Sequence, residues 1–478
     1  MNSSSLSIVR WLTVCVLAVG FLMVWTRQIN GAPVERDANQ TVRMAVNLDR
    51  HGVMSLDEAP PYTPTDYREP VPVLACALGI KIIDGILGAA PDDAYFSGER
   101  VRYLKYQNLL WLSLLTVASF WATLELTSSF ALGLLAAVLV NLPFAGGPLD
   151  MHLVNDLYSE IIASAFFMLA SLCLALGFAR RRLGYLALAG LLFGVVTLTK
   201  AAVLYIFIGV VVLLPCCYLL QRYPLRAAAR DLLVIVVTFA CVVVPYMYRN
   251  QRQLGSFQLS QRAGVVLMYR ALKDQMTALE YRGSFYVWAP NSVRSLVGKV
   301  LGFTPADLRR GGRLQRLNIS EDADFAKEDI AAERAGRPDL SLTYYRKARA
   351  ERTQIEIQLA QAGHLQAELE GDDILKKRAA AMIMAQPGRW LALTIPFLWR
   401  GATLVFPILV AALALAIRRR RYDLALFSLP AFGLVMFYAL FSQFIARYGV
   451  PAHEVAMVVL MALVGLPFLP KTKSALSG

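Results

Sequence analysis

Asp37 lies just past the apolar run 7–26, beside Arg36, at the start of the helix-forming stretch Ala38–Arg50. A carboxylate at a membrane surface can take the proton of an attacking hydroxyl, and a neighbouring guanidinium can hold a phosphate. Asp is equally a favoured helix N-cap, and that role alone would account for it. Tyr67-Arg68-Glu69-Pro70 follows. Arg68 suits a phosphate and Glu69 a sugar hydroxyl or a metal, while a polar turn is the plainer alternative. In LDMHLVNDLYSE, residues 149–160, Asp156 and Glu160 are four apart and share a helix face, with His152 one turn earlier. A carboxylate that enters a span faces a polar cavity or a partner. The three do not form a diagnostic metal motif, although a divalent cation is compatible with them. Lys200 interrupts an apolar hairpin, Arg249 follows Tyr248 at the end of a run, and Arg447-Tyr448 precedes His453. Each of these cations suits a lipid phosphate or pyrophosphate, and each equally suits interface anchoring or snorkelling.

The elements that must position these residues are membrane helices. Of 478 residues 57% are hydrophobic and 17% charged, and several runs reach the roughly 20 apolar residues needed to cross hydrocarbon. A spanning backbone must satisfy its own hydrogen bonds, so the expected fold class is all-α and polytopic. Ten spans are predicted: 7–26, 108–124, 128–144, 158–178, 184–199, 201–220, 232–248, 401–417, 424–442 and 452–470. The strand-length alternation of a barrel is absent. The six cysteines have no framework spacing and read as small apolar residues. The first run lacks a small-residue cleavage site and reads as a retained anchor.

The net charge of +14 does not imply nucleic acid, because it is distributed as topology requires. Arg180 to Arg182, then Arg222, Arg226 and Arg230, then Arg418 to Arg421, then Lys471 and Lys473 each border an apolar run on alternate sides of the spans. Both termini are then cytoplasmic, and 27–107 and 249–400 lie outside. The expected division is an N-terminal transmembrane catalytic module, 1–248, that includes the outer loop 27–107, then a periplasmic helical segment, 249–400, and C-terminal transmembrane helices, 401–478. Two juxtamembrane helices are predicted, Ala38–Arg50 and Pro72–Leu87. In the first, Val42, Ala45, Val46 and Leu48 form an apolar face suited to lying on the membrane. Gly388–Arg400 reads as an interfacial helix or the start of a tilted span. Asp322–Leu375, rich in helix formers, reads as a helical cap that is either structural or a substrate lid.

Six segments, taken in order, resemble the GT-C superfamily of polyprenyl-phosphate-sugar-dependent glycosyltransferases, in particular the bacterial group related to protein O-mannosyltransferases and the lipid A aminoarabinose transferase. They are RDANQTVRMAVNLDRHG, YREPVPVLACALGI, YSEIIASAFFMLA, GLLFGVVTLTKAAVL, PYMYRNQRQLGSF and ARYGVPAHEVAMVVLMALVG. The resemblance covers most of 7–270 and 380–470. It implies a GT-C-type fold and inverting transfer of a hexosyl or pentosyl unit from a polyprenyl-phosphate donor to a periplasmic glycan, lipid or protein, in a bacterial inner membrane. By the same resemblance Asp37 is the catalytic base and Lys200 binds the lipid phosphate. Glu160 is a second catalytic candidate, and Arg36, Arg68, Glu69, Asp156, Arg249, Arg447 and Tyr448 surround donor or acceptor. This reading fixes no cofactor and leaves a divalent cation compatible, and no nucleotide-binding glycine loop is visible. A ligase or polymerase of lipid-linked glycans, or a transporter, is the alternative.

Overall fold

The computed structural model describes residues 3–142, 153–260, 263–364 and 367–465. His152 lies outside them. The described chain is helical and, among the described residues, contains no strand. It divides into two compact units: Met1–Leu259 with Leu404–Leu434 and Val450–Gly478, and Ser260–Thr403 with Val435–Gly449.

The first unit opens with α1 (Ser3–Gln28), α2 (Arg36–His51), α3 (Pro70–Leu87), α4 (Glu99–Lys105) and α5 (Gln107–Thr127). It continues through α6 (Phe130–Leu139), α7 (Ser159–Arg180), α8 (Leu183–Thr197), α9 (Val203–Leu220) and α10 (Leu225–Leu254). The second unit holds α11 (Ala263–Leu272), α12 (Ala278–Val287), α13 (Asn291–Leu301), α14 (Ala326–Arg334), α15 (Tyr344–Gln361), α16 (Ala367–Ala385) and α17 (Pro387–Ala402). After these come α18 (Val405–Arg418), α19 (Tyr422–Phe441) and α20 (Val450–Gly465).

Helices stand over all ten apolar runs. By length and composition seven helices can cross a membrane, or eight if α17 and α18 form one broken span. The stretch Leu12–Gln28, α6 and α8 are apolar but shorter. The chain is therefore a polytopic helical membrane protein. α7 is its most buried span, packed against α5, α8 and α20. α8 and α10 approach closely. A Cβ at Gly190 would stand 2.4 Å from the Ile235 carbonyl oxygen, and one at Gly194 would stand 2.7 Å from Val242 Cβ. Small residues one turn apart let the two backbones meet where lipid supplies no hydrophobic drive.

The loop 27–107 differs from its sequence reading. The apolar face of α2 does not lie on a membrane. Val42, Ala45 and Val46 are fully or almost fully buried in a core with Val73, Cys76, Ile80, Tyr95, Val101 and Leu104. α3 can cover α2 because it is apolar on both sides. Its opposite face exposes Leu74, Leu78, Ile82 and Ile86, four residues apart each time, and it passes the length and hydropathy test for a span. The exposed apolar stripe thus belongs to α3.

Asp84 ties this module together. It pairs with Arg50 of α2 at 2.6 Å and Arg100 of α4 at 3.3 Å, and it accepts from the Tyr95 hydroxyl. Asp84→Ala removes the acceptor that two cations and a hydroxyl share, and should cost about 3 kcal/mol. We expect a lowered detergent-melting temperature for this variant. An unchanged melt would contradict the assignment.

The second unit is built around α11, α15 and α16, with α14 on α15 and α12 between α13 and α17. Thr277 and Glu280 form a reciprocal capping box that starts α12, and Tyr344 of α15 donates to Glu280 at 3.2 Å. α17 covers the stretch expected as an interfacial helix, with Leu391 and Ile395 exposed.

Candidate functional site

Asp37 sits in the first turn of α2, and its capping role is not the one observed. Glu35 is the N-cap, without a side-chain cap bond. Arg36 has φ +49°, a left-handed conformation unusual for a non-glycine residue, and such strain concentrates at functional sites. The Asp37 carboxylate instead forms an ion pair with Arg68, thirty-one residues away, whose guanidinium also donates to Gln40 one turn along α2. The Arg68 side chain is 8% exposed and that of Asp37 29%. The cation is therefore held inside while the carboxylate stays reachable.

The position of Arg68 is set by the loop before it. Asn47 of α2 donates to the carbonyls of Ser55 and Asp57, both at 2.9 Å, and the Thr65 amide bonds the Met54 carbonyl at 2.9 Å. Asp57 accepts from the Thr63 hydroxyl and, at 2.6 Å, from its amide. These two Thr63 bonds hold the Asp57 carboxyl below its ordinary value of 3.8. The loop stability supplied by Asp57 is therefore present above that value and is lost as pH falls through the lower, folded one. Pepsin should begin to cut 53–66 only below about pH 3.8, and Asp57→Asn should admit a neutral protease there. Resistance of the mutant loop would contradict this.

Glu160 and Lys200 meet each other. Glu160 lies in the first turn of α7, Lys200 follows α8, and Nζ to Oε1 is 3.0 Å with the side chains 7% and 2% exposed. The Val71 amide bonds the Leu198 carbonyl at 3.1 Å. This joins the start of α3, three residues after Arg68, to the turn that carries Lys200.

At the end of α10, Arg249 donates to Asn250 at 2.9 Å, and Asn250, fully buried, donates to the Gln258 carbonyl at 2.8 Å. Tyr246, one turn before, lies within electrostatic reach of Arg249, Asp66 and Glu69. Arg249 and the 66–69 turn therefore share one neighbourhood. Asp156 is in electrostatic reach of Lys105, and its carbonyl accepts from Asn108 at 2.9 Å.

The structure thus gathers Asp37, Arg68 and Glu69, with Lys200 and Glu160 joined to them through Val71 and Leu198. Arg249 reaches the same turn through Tyr246. Asp156 lies within electrostatic reach of Lys105, and Arg447 and Tyr448 belong to the second unit. There the Arg447 guanidinium lies 5.6 Å from the Tyr448 ring, and the Tyr448 hydroxyl accepts from Gln443 at 3.3 Å. Among the described residues no three His, Cys, Asp or Glu side chains cluster as metal ligands.

Sequence reasoning missed three groups. Gln40, the second acceptor of Arg68, is an ordinary amide on an amphipathic helix. Lys105 is almost fully buried and donates to the carbonyls of Asn30 and Ala32 at 3.2 and 2.7 Å; its position just before an apolar run was the available signal. Glu454 is 0% exposed within α20, 3.4 Å from His453. A carboxylate inside an apolar run should have marked it.

No protein-family model and no curated protein matches the chain. Solved structures similar to it include two of ArnT from Cupriavidus metallidurans. The one bound to undecaprenyl phosphate has 14% identity and a TM-score of 0.38, covering 95% of this chain and 78% of that one. The apo state has 14% identity and a TM-score of 0.35, covering 94% and 78%. At this identity and TM-score the likeness decides neither activity nor substrate.

Proposed function

We propose that this chain is an integral membrane glycosyltransferase of the GT-C type. It would move a sugar from a polyprenyl-phosphate donor to a periplasmic acceptor hydroxyl, as a multi-pass protein of a bacterial inner membrane with its active site on the periplasmic face and both termini cytoplasmic. The observation that carries the reading is the reachable Asp37 carboxylate held by the buried Arg68, within a module whose α3 offers an apolar stripe to lipid. A base must be reachable, and the cation that serves a lipid phosphate must be fixed close to it.

In the reaction, the acceptor oxygen attacks the anomeric carbon from the face opposite the phosphate. The new carbon–oxygen bond forms as the bond to the phosphate oxygen breaks, which inverts the configuration. Asp37 takes the hydroxyl proton, and the electron pair of the broken bond leaves on the lipid phosphate. Arg68 and Arg249 stabilise the charge that develops there; a planar guanidinium can bond a carboxylate and a phosphate oxygen together. Glu69 orients a hydroxyl of the sugar. Glu160 sits beside Lys200 as its counter-ion and helps to shape the site.

The donor class tests this reading. Purified protein offered one labelled sugar on polyprenyl monophosphate, on polyprenyl pyrophosphate and on a nucleotide should consume the monophosphate alone and release polyprenyl phosphate. Turnover restricted to the pyrophosphate would favour a ligase or polymerase of lipid-linked glycans.

A further inference from the structure

We propose that the second unit contains a buried anion site, separate from Asp37, formed by Arg270, Lys273 and Arg400 and suited to a phosphate group. The site goes beyond the transferase reading and does not depend on it.

Three cations meet here against one carboxylate, Asp274. Arg270 is 0% exposed, Lys273 1% and Asp274 5%. Arg270 Nη2 donates to the Trp390 carbonyl at 2.6 Å, and Nη1 lies 3.6 Å from Asp274. Arg270 Nε and Nη1, Lys273 Nζ and both Asp274 oxygens find no hydrogen-bond partner among the described residues. Lys273 Nζ rests 3.3 Å from the centre of the Tyr269 ring and 4.9 Å from that of Phe397. Arg400 completes the group. Its guanidinium lies 5.0 Å from the Trp288 ring, it donates to the Gln443 carbonyl at 3.0 Å, and it is half-buried.

Buried donors left without acceptors are costly, and buried cations in excess of carboxylates are costlier. Aromatic faces offset part of this but accept no strong hydrogen bond. A dianion would balance the excess and give the open N–H groups their acceptors. Phosphate suits the set because two guanidinium forks and an ammonium can each bond a different oxygen. Burial and the neighbouring guanidinium groups push the Lys273 amine well below its ordinary range, and burial raises Asp274 to about 6. The Lys273 shift is that of a cation crowded by other cations, while the Asp274 shift reflects burial. The phosphate can come from a lipid headgroup or from a soluble phosphate.

The test is thermal unfolding of the full-length protein in detergent, with inorganic phosphate or dodecyl phosphate titrated in at constant ionic strength made up with chloride. Wild type should show a saturable rise in melting temperature. Lys273→Met and Arg270→Gln should each weaken the apparent affinity at least tenfold, and because both leave Arg68 and Arg249 intact, the loss separates this site from the catalytic one. A response to dodecyl phosphate alone assigns the lipid source, and a response to inorganic phosphate assigns the soluble one. If one variant does not fold, the other carries the comparison, and the wild-type titration stands in either case. No saturable rise with either phosphate, or a rise undiminished in the variants that fold, overturns the proposal.

Discussion

Lys200→Met should abolish accumulation of the folded protein, and so should Glu160→Gln, while the double variant should recover much of it. The pair is almost fully buried, at 3.0 Å. Removing one member takes away the other's counter-ion at 3.0 Å in a low-dielectric interior, which typically costs about 3–5 kcal/mol. Whole domains are stable by only about 5–15 kcal/mol, so either single change consumes a large share. Replacing both members by neutral groups of similar volume removes the desolvation penalty together with the attraction and is often close to neutral. The measurement is monodisperse yield and melting temperature for the four members of the cycle. Single variants as stable as wild type would show that solvent reaches the pair. The same cycle separates two roles for Lys200. A double variant that is folded and active makes the pair structural, and one that is folded and inactive makes Lys200 a group that touches the donor phosphate.

Asp37→Asn should remove transfer without removing the fold. Asparagine keeps the shape and can still accept from Arg68 through its carbonyl, but it cannot take a proton. General-base catalysis contributes roughly 10²–10⁴-fold, so the rate should fall by about three orders of magnitude. Donor binding should change little, because the phosphate is assigned to Arg68 and Arg249. Because Asp37 caps no helix here, a modest effect on stability is expected. A large loss of stability with retained turnover would reverse the assignment.

The helices were legible in the sequence because lipid imposes a simple rule: about twenty apolar residues per crossing. All ten runs carry a helix. The faces were harder to read. The pattern of α2 shows that Val42, Ala45 and Val46 share one side, but it cannot say whether lipid or protein covers that side. The answer depends on α3, whose two apolar faces read in sequence only as hydrophobicity. Partners were harder still. Asp37 and Arg68 are thirty-one residues apart and Glu160 and Lys200 forty, and no local spacing joins either pair. Lys200 in isolation looked like a cation awaiting a phosphate; the fold supplies Glu160. The Arg270–Asp274 cluster lies in the stretch that resembled nothing. Its charges look like a solvated helix face until Trp390, Phe397 and Arg400 arrive from more than a hundred residues away.

The most direct measurement reconstitutes the purified protein in lipid nanodiscs with a labelled polyprenyl-phosphate sugar and a periplasmic acceptor fraction. It follows two products together, labelled acceptor and free polyprenyl phosphate, for wild type and Asp37→Asn. The account predicts that wild type forms both in equal amounts and that the variant, folded and still binding donor, forms neither at a measurable rate. No turnover by wild type with any such donor, or undiminished turnover by the variant, would contradict it.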